Sequence, residues 1–250
     1  MNTTRLAMAL TSGALAAGAA VAVPALGHGA ASPAPRVALG TAPWPGAAQF
    51  DQPRQNPYFP LLPGTVSRYR VRDGSERFHE KVTVTDRTRT ILGVRTTVVR
   101  DVLRRADGTI AEKTHDWYAA DDDGNVWYFG EATATYDRWG HLESREGSWQ
   151  AGAHSAVQGL IMPADPRPTD AYRQEFRRAH AEDQAWIVQR HARVRVPYGH
   201  LRDVVRTFEW SRLEPRVVSA KYYAPGLGIV REQDVAGGNE TVVLVSVRHR

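Results

Sequence analysis

One series of short motifs occurs twice in this chain, and it restricts the fold more than any other feature of the sequence. The segment GVRTTVVR begins at Gly93, and GHLRDVVR begins at Gly199, about 106 residues later. Downstream, WYA begins at Trp117 and YYA begins at Tyr222, about 105 residues apart. A turn with glycine and then a strand-like run follow each of them. The repeated order predicts two related modules, which together bury a hydrophobic face that neither module could cover alone.

Strand-like runs fill both modules. The clearest are KVTVTD, TTVVRDVLRR, DWYAA, NVWYFGE, RVRVP, DVVRTFEW and ETVVLVSV. Alternation with period two, or a high content of Val, Thr and aromatic residues, is typical of β-strands. Turn signals such as Asp73-Gly74 separate the runs. The sequence therefore predicts a mostly β, antiparallel protein, in which module one (57–156) and module two (157–250) form a sandwich or an open barrel with curved sheets.

One segment, AYRQEFRRAHAEDQAWIVQR, also has apolar residues at helical spacing. Tyr172, Phe176, Ala179 and Trp186 recur every three to four residues, as on one face of a helix. Asp183 falls in the same stripe, and a carboxylate there would spoil the apolar face. We therefore expect a strand, a turn and a second strand in this segment rather than a helix.

The first thirty residues (1–30) have the features of a secretory signal peptide. Arg5 supplies a positive charge, the stretch 6–26 is apolar and uncharged, and small residues follow at two candidate cleavage positions. A retained membrane anchor is the alternative, because the apolar run is about long enough to span a bilayer. Residues 31–56 are rich in Pro, Ala and Gly and are predicted to form a linker. We expect a secreted or envelope-associated protein without a transmembrane span after cleavage.

Cysteine content and charge narrow the function further. The chain has no cysteine, so thiol catalysis and Cys-ligated metals are excluded and the core must be stable without disulfides. The net charge is +5, and the basic residues are mostly arginine. Such a protein could meet nucleic acid, teichoic acid or lipid headgroups. Because arginine alternates with apolar residues in RVRVP and SRYRVRDG, we interpret it as the solvent-facing side of strands, and we expect no specific nucleic acid.

No motif identifies a cofactor or a catalytic centre. The loop 121–125 is rich in oxygen ligands, but the EF-hand spacing fails and Asp-Gly-Asn is a common hairpin turn. The histidines are scattered, without HExxH, and the chain contains no GxSxG elbow or phosphate-binding glycine loop. We therefore expect no metal and no cofactor, and the sequence argues against an enzyme more than for one.

The segment DWYAADDDGNVWYFGE, residues 116–131, concentrates aromatic residues and carboxylates. Its WYA part has a counterpart in module two and is interpreted as scaffold. Module one alone carries WYFGE and the extra hairpin TYDRWGHLESREGSWQAG. Alternation puts Trp127 and Phe129 on one face of a strand, so that one face belongs to the core and the other forms an aromatic strip. The candidate ligand-binding residues are Tyr128, Glu131, Glu146, Trp149 and Glu175.

Several stretches together resemble an uncharacterised family of exported bacterial β proteins. They are DWYAADDDGNVWYFGE, EGSWQAG, LIMPADP, YRQEF, AEDQA, VPYG and KYYAPGLGIV. The family is marked by DWYAxDxxGNVWYFGE and YYAPGxGxV, and the resemblance covers about residues 57–235. It implies export and a β fold, but no activity. The order VxVPxG followed by YYAPG is also similar to repeats of envelope proteins with curved antiparallel sheets, which concerns the fold alone.

The leading hypothesis is a non-catalytic protein that binds a lipid or other apolar molecule, a glycan or an envelope protein through the aromatic strip. A secreted hydrolase that uses a carboxylate cluster of Glu131, Glu146 and Glu175 is the first alternative. A purely structural envelope protein is the second. A deep pocket lined by these acids would favour the hydrolase, an apolar concavity the binding protein, and a filled interior the structural role.

Overall fold

A computed structural model describes residues 44–249. The predicted signal peptide and the first part of the predicted linker, up to residue 43, lie outside the described residues. Within 44–249 a short 3₁₀ helix, Ala47–Phe50, precedes fifteen β-strands, and this part of the chain contains no α-helix. None of its helical segments is long and apolar enough to cross a lipid bilayer.

The strands are mostly long in the first half and the last third of the chain, with short ones between. They are β1 (Val66–Asp73), β2 (Glu76–Ile91), β3 (Val94–Arg105), β4 (Ile110–Ala120), β5 (Val126–Tyr136), β6 (Leu142–Ser144), β7 (Trp149–Gln150), β8 (Val157–Met162), β9 (Ala171–Arg173), β10 (Glu175–Phe176), β11 (Asp183–Val196), β12 (Gly199–Ser211), β13 (Val218–Ala224), β14 (Gly228–Ala236) and β15 (Glu240–Arg248).

All fifteen strands belong to one antiparallel, curved sheet. The order is β10-β8-β5-β4-β3-β2-β1-β15-β14-β13-β12-β11-β9, and β6 and β7 pair with β5. The two ends of this series, β9 and β10, are consecutive in the chain and are separated only by Gln174. Because β9 pairs with β11 and β10 pairs with β8, this segment joins the two edges. The sheet is therefore a nearly closed barrel, which confirms the predicted mostly β, antiparallel architecture.

The predicted turns and strands coincide with those of the structure at several positions. Asp73-Gly74 connects β1 and β2, and the turn 121–125 connects β4 and β5, as predicted. The ambiguous segment after residue 170 forms β9, β10 and the start of β11, so the prediction of strands rather than a helix is confirmed. Asp183, which spoiled the helical stripe, is buried on β11 on the same side as Ala185 and Ile187. Alternate side chains of a strand share one face, so this carboxylate lies on the interior side.

The same order of pairings runs through both halves of the barrel. Strands β1 to β5 and then β8 form one antiparallel meander, and the segment β9–β10 followed by β11 to β15 forms another. Gly93 precedes β3 and Gly199 begins β12, which are the third strands of the two meanders. A duplication requires the same strand order in both halves, and this order is observed. The duplication itself stays a prediction. The first strand after residue 157 completes the meander of module one, because β8 pairs with β5.

Both faces of β5 are covered. Trp127 and Phe129 face outwards, where Trp44 packs edge-on against both rings at centroid distances of 5.8 and 5.7 Å. Phe50 of the 3₁₀ helix packs against Phe129 at 5.8 Å. The expected exposed aromatic strip is therefore absent from β5, because residues before module one lie over it. Tyr128, on the opposite side, is fully buried in the interior.

Candidate ligand site in the barrel interior

Four of the five predicted site residues come together in the interior. Tyr128 and Glu131 lie on β5, Trp149 on β7 and Glu175 on β10, and none of them is more than 4% exposed. The rings of Tyr128 and Trp149 meet edge to face at a centroid distance of 5.3 Å. Glu131 lies directly opposite Trp149 across the strand pair, and its charge acts on Glu175. Together with Asp116 and Tyr118 of β4, these residues are called the interior site below.

Glu146, the fifth candidate, does not join them. It lies in the connection between β6 and β7, where its side chain is exposed and its backbone N–H donates to the Ser144 hydroxyl at 2.9 Å. The hairpin that carries it folds over the outer edge of β5 and returns only at Trp149. The hydrolase cluster of Glu131, Glu146 and Glu175 is therefore not assembled as proposed from the sequence.

Two glycines let short strands approach closely enough to build the interior site. Gly130 has a φ of 131°, and a Cβ atom on it would lie 2.3 Å from the carbonyl oxygen of Trp149. A Cβ atom on Gly159 of β8 would lie 2.3 Å from the carbonyl group of Gln174. No side chain fits at either place, so both positions need glycine for β7 and β10 to reach the wall.

Aromatic rings form one side of the interior site. Tyr118 and Tyr128 stack with a centroid distance of 4.7 Å, and Phe59 packs edge-on against Tyr118 at 5.0 Å. The Tyr128 hydroxyl donates to Asp116 Oδ1 at 2.9 Å. The sequence reasoning did not select Asp116. A turn at 121–125 alone would pair it with Gly130, and a β-bulge between residues 116 and 118 brings it opposite Glu131 instead.

Burial dominates the electrostatics of the interior site. It raises the pKa of the Glu131 carboxyl well above its usual range, and the nearby charges of Asp116 and Glu112 raise it further. Burial also raises the pKa of Glu175, to which Asp183 and Glu131 add. Removing a carboxylate from water disfavours its charged form, and neighbouring carboxylates act in the same direction. These groups therefore hold protons at a pH where ordinary glutamates are ionised.

Several polar atoms of the interior site have no hydrogen-bond partner within residues 44–249. They include Glu131 Oε1, both carboxyl oxygens of Glu175 and the Trp149 indole nitrogen. The Trp149 N–H is oriented towards the Glu175 carboxyl group, but without the geometry of a hydrogen bond. Buried polar groups are nearly always paired, so unpaired ones mark a place where a water or a ligand can supply the partner.

In the other half of the interior, a buried lysine compensates buried carboxylates. Lys221 Nζ lies 3.1 Å from Glu209 Oε2 and 3.7 Å from Glu232 Oε2. Glu209 also accepts hydrogen bonds from Tyr223 and Thr207, each at 2.7 Å. Burial would raise the pKa of Glu209, but Lys221 and these hydrogen bonds outweigh burial and hold it below its usual value. Lys221, Glu209 and these donors form a closed network, although Asp183 and Glu232 in the same half keep raised pKa values.

The Asp-rich turn is structural. Asp121 accepts hydrogen bonds from the backbone of Asn125 at 2.8 Å and from the Trp127 indole at 2.9 Å. A hairpin turn of this composition would be expected to expose its aspartates, but Asp121 is buried because it caps the turn. Across residues 44–249 no group of three or more His, Asp or Glu side chains is arranged to hold a metal ion.

Comparisons with known proteins show distant likenesses. No protein-family model matches this chain, and no curated protein matches it. One solved structure, described as a "putative exported protein with YmcC-like fold" from Bacteroides fragilis, is 14% identical, with a TM-score of 0.44 over 76% of this chain and 98% of that chain. A second, a "putative lipoprotein" from Parabacteroides distasonis, is 14% identical, with a TM-score of 0.43 over 78% and 100% of the two chains. At this distance neither assigns an activity, a ligand or a compartment to this chain.

Proposed function

We propose that this protein is a non-catalytic, extracytoplasmic binding protein whose interior site takes a small organic cation, such as an amine. The observation that carries the proposal is the set of three buried carboxyl groups, Asp116, Glu131 and Glu175, in which burial and like charges raise the pKa values of both glutamates and Lys221 offsets only part of the shift at Glu175. A cationic ligand would supply the missing positive charge. Tyr118 and Tyr128 offer ring faces beside the carboxylates, and cations bind favourably to such faces.

This ligand class fits the interior better than the apolar ligand that the sequence favoured. An apolar molecule beside Glu131 and Glu175 would leave their oxygens without partners, and burying unpaired polar groups is costly. A glycan could donate hydroxyl groups, but it would not neutralise charge. An amine donates hydrogen bonds and neutralises charge at the same time.

Extracytoplasmic placement rests on the N-terminal sequence. The stretch 1–30 has the charge, the apolar run and the small residues of a secretory signal. The absence of cysteine agrees with a chain that needs no redox partner for folding outside the cytoplasm. Secretion of a reporter fused to residues 1–30 would test this part of the proposal separately.

The wall of the barrel is weakest next to the interior site, which suggests a route for the ligand. Strands β7 and β10 contain two residues each, and each makes only a two-residue pairing there. Local opening is favoured where few backbone hydrogen bonds hold a segment. We propose that the ligand enters where β7 and β10 meet the rest of the sheet.

Isothermal titration calorimetry with putrescine, spermidine and choline tests the proposal. At least one probe should bind, and binding should strengthen as the pH rises from about 6 to about 8, because a cation pairs with ionised carboxylates. Binding should release protons, which titrations in buffers of different ionisation enthalpy measure. Glu131→Gln and Glu175→Gln should each weaken binding at least about tenfold, whereas Glu146→Gln, on the exposed hairpin, should leave it unchanged. Absence of binding by the folded protein at either pH would contradict the proposal.

One observation supports the hydrolase as a second candidate. Glu131 and Glu175 are neighbouring buried carboxyls with raised pKa values, and a carboxyl with a raised pKa acts as the general acid in glycoside hydrolysis. Assays of the purified protein on cell-wall glycan fragments test this role. Turnover that is lost in Glu131→Gln and kept in Glu146→Gln would favour the hydrolase over the binding protein.

A further inference from the structure

The outer face of strands β1 to β4 carries a dense group of positive charges. On β1, the side chains of Ser67, Tyr69 and Val71 are buried on the inward side, so the residues between them point outwards. We call this surface the basic face and define it by six outward-facing residues: Arg68, Arg70, Arg72, Arg77, Arg100 and Arg104. It lies on the opposite side of the wall from the carboxylates of the interior, so it is independent of the interior site.

The register of the strands brings like charges together on this face. Arg68 lies directly opposite Lys81, and Arg72 lies directly opposite Arg77. Like charges that face each other across an antiparallel pair destabilise the sheet. Stability of the isolated fold therefore does not account for the arrangement, whereas a polyanionic partner would.

The positive field of the basic face acts on a residue inside it. The pKa of His115 is lowered, first by partial burial and then by the charges of Lys113, Arg100 and Arg87. Carboxylates stand at the rim, with Asp73 at the end of β1, Glu76 at the start of β2 and Asp107 in the β3–β4 turn. The field is thus positive over the face itself and mixed only at its edge.

An exposed apolar hairpin stands at one end of the basic face. Trp139, in the turn between β5 and β6, is 75% exposed, and Leu142 beside it is 48% exposed. The Arg105 guanidinium donates to the carbonyls of Tyr136 and Asp137, which holds this hairpin against the end of β3. The surface therefore combines arginines with an exposed tryptophan. Tryptophan is enriched at the interface between membrane and water, where clusters of basic residues bind anionic lipids.

We propose that the basic face docks the protein on an anionic phospholipid membrane, with Trp139 at the level of the headgroups. Arginine guanidinium groups bind phosphate through charge-assisted, often bidentate hydrogen bonds. A soluble polyanion would satisfy the arginines equally well, but it would offer nothing apolar to cover Trp139 and Leu142. The hairpin is therefore the observation that favours a bilayer over a polymer such as teichoic acid.

Co-sedimentation of the exported protein with vesicles tests the docking. The probes are vesicles of phosphatidylcholine alone and of phosphatidylcholine with about one-third phosphatidylglycerol. We expect binding to the anionic vesicles over the neutral ones, and we expect it to weaken as salt is raised, because salt screens surface charges. The readout is the difference between the two vesicle types, so an N-terminal anchor, which would hold the protein on both, does not affect it.

Two variants that lose the same charge make the test specific. The triple variant Arg68→Gln/Arg70→Gln/Arg72→Gln should lower affinity for anionic vesicles at least about tenfold. The matched control Arg193→Gln/Arg195→Gln/Arg202→Gln removes three exposed arginines from β11 and β12 and should keep most of the binding. Thermal unfolding of the first variant should show an unchanged or higher midpoint, since one source of like-charge repulsion is removed.

Trp139→Ala separates the bilayer from a polymer. This variant should bind anionic vesicles several-fold more weakly and should bind soluble polyphosphate as the wild type does. Equal loss of vesicle binding in the two triple variants would overturn the assignment to the basic face. Tight binding of polyphosphate without any preference for anionic vesicles would overturn the membrane as the partner.

Discussion

Asp116 and Lys221 stand at matching places in the two halves of the barrel, and they carry opposite charges. Each lies two residues before the tyrosine of WYA or YYA that faces the interior, and each pairs across to a glutamate on the next strand, Asp116 with Glu131 and Lys221 with Glu232. In module two the ammonium group lies between Glu209 and Glu232. In module one the matching position adds a negative charge to an acidic interior. One scaffold thus produces a closed ionic network on one side and an acidic site on the other.

The comparison separates structural from functional use of buried charge. A buried charge is tolerated when a partner and hydrogen bonds compensate it, as around Lys221. Where no such compensation exists, the group keeps its proton, and its pKa shifts instead, as at Glu131 and Glu175. Perturbed carboxyls of this kind cluster at functional sites. The asymmetry is therefore the reason to place the ligand beside Glu131 and Glu175, where module one meets β10.

The largest expected effect concerns the lysine itself. Lys221→Met leaves Glu209 and Glu232 buried without a cation, and we expect it to lower the free energy of unfolding by about 3–5 kcal/mol. Asp116→Asn keeps an acceptor for the Tyr128 hydroxyl and removes one charge from an acidic group, so a change of less than about 1 kcal/mol is expected. Urea denaturation measures both. Similar losses in the two variants would remove the distinction between the halves.

The two matching aromatic residues on the outer face should differ in how much they contribute to stability. Trp117 is 5% exposed and lies under the Arg89 guanidinium at 4.2 Å, whereas Tyr222 is half-buried under Arg206 and Arg231. Both side chains are mostly buried, Tyr222 less completely than Trp117. Trp117→Ala should cost about 3–5 kcal/mol, and Tyr222→Ala should cost about half of that. Thermal unfolding midpoints compare them, and a larger loss at Tyr222 would contradict the burial seen here.

Removing the hydroxyl groups of two interior tyrosines tests the same difference between the halves with smaller substitutions. Tyr223 donates at 2.7 Å to Glu209, whose pKa is lowered, so the acceptor is a charged carboxylate. Tyr223→Phe should cost about 1.5–3 kcal/mol, the range for a bond to a charged group. Tyr128→Phe removes the 2.9 Å bond to Asp116 and should cost about 1 kcal/mol. Denaturant midpoints show which variant loses more stability. A greater loss of stability in Tyr128→Phe would show that Asp116 is better compensated than Glu209.

The two halves also differ in how stability depends on pH. A carboxyl whose pKa is raised by folding stabilises the protein at low pH, and this contribution is lost as the pH rises through the folded-state value. Burial raises the pKa of Glu232 from 4.5 to about 7, and these two values define the pH range in which stability declines. Within it, each such group changes the free energy of unfolding by at most about 1.4 kcal/mol per pH unit. Glu131→Gln should flatten the decline above pH 4.5, whereas Glu209→Gln, at a group with lowered pKa, should not. Urea midpoints between these limits measure the slope.

Much of the sheet follows from local sequence. Alternation and turn signals determine the strands. They do not determine that Asp116 opposes Glu131, because a β-bulge between residues 116 and 118 shifts the register set by the turn at 121–125. The same reasoning selected Tyr128, Trp149 and Glu175, which do meet in the interior. The duplication stays a prediction, which superposing 93–130 on 199–231 would check. The strands and turns themselves depend only on residues close together in the chain.

Tertiary structure alone decided the rest. Glu175 reaches Glu131 only because β10 closes the ring against β8, and Glu146 stays outside because its hairpin runs along the outer edge of β5. The covering of Trp127 by Trp44 depends on a segment that has no strand pattern. Period and spacing determine which side chains share a face, but they do not determine which face becomes the interior or what covers the other one. Those choices depend on closure of the whole sheet, a contact between strands distant in the chain.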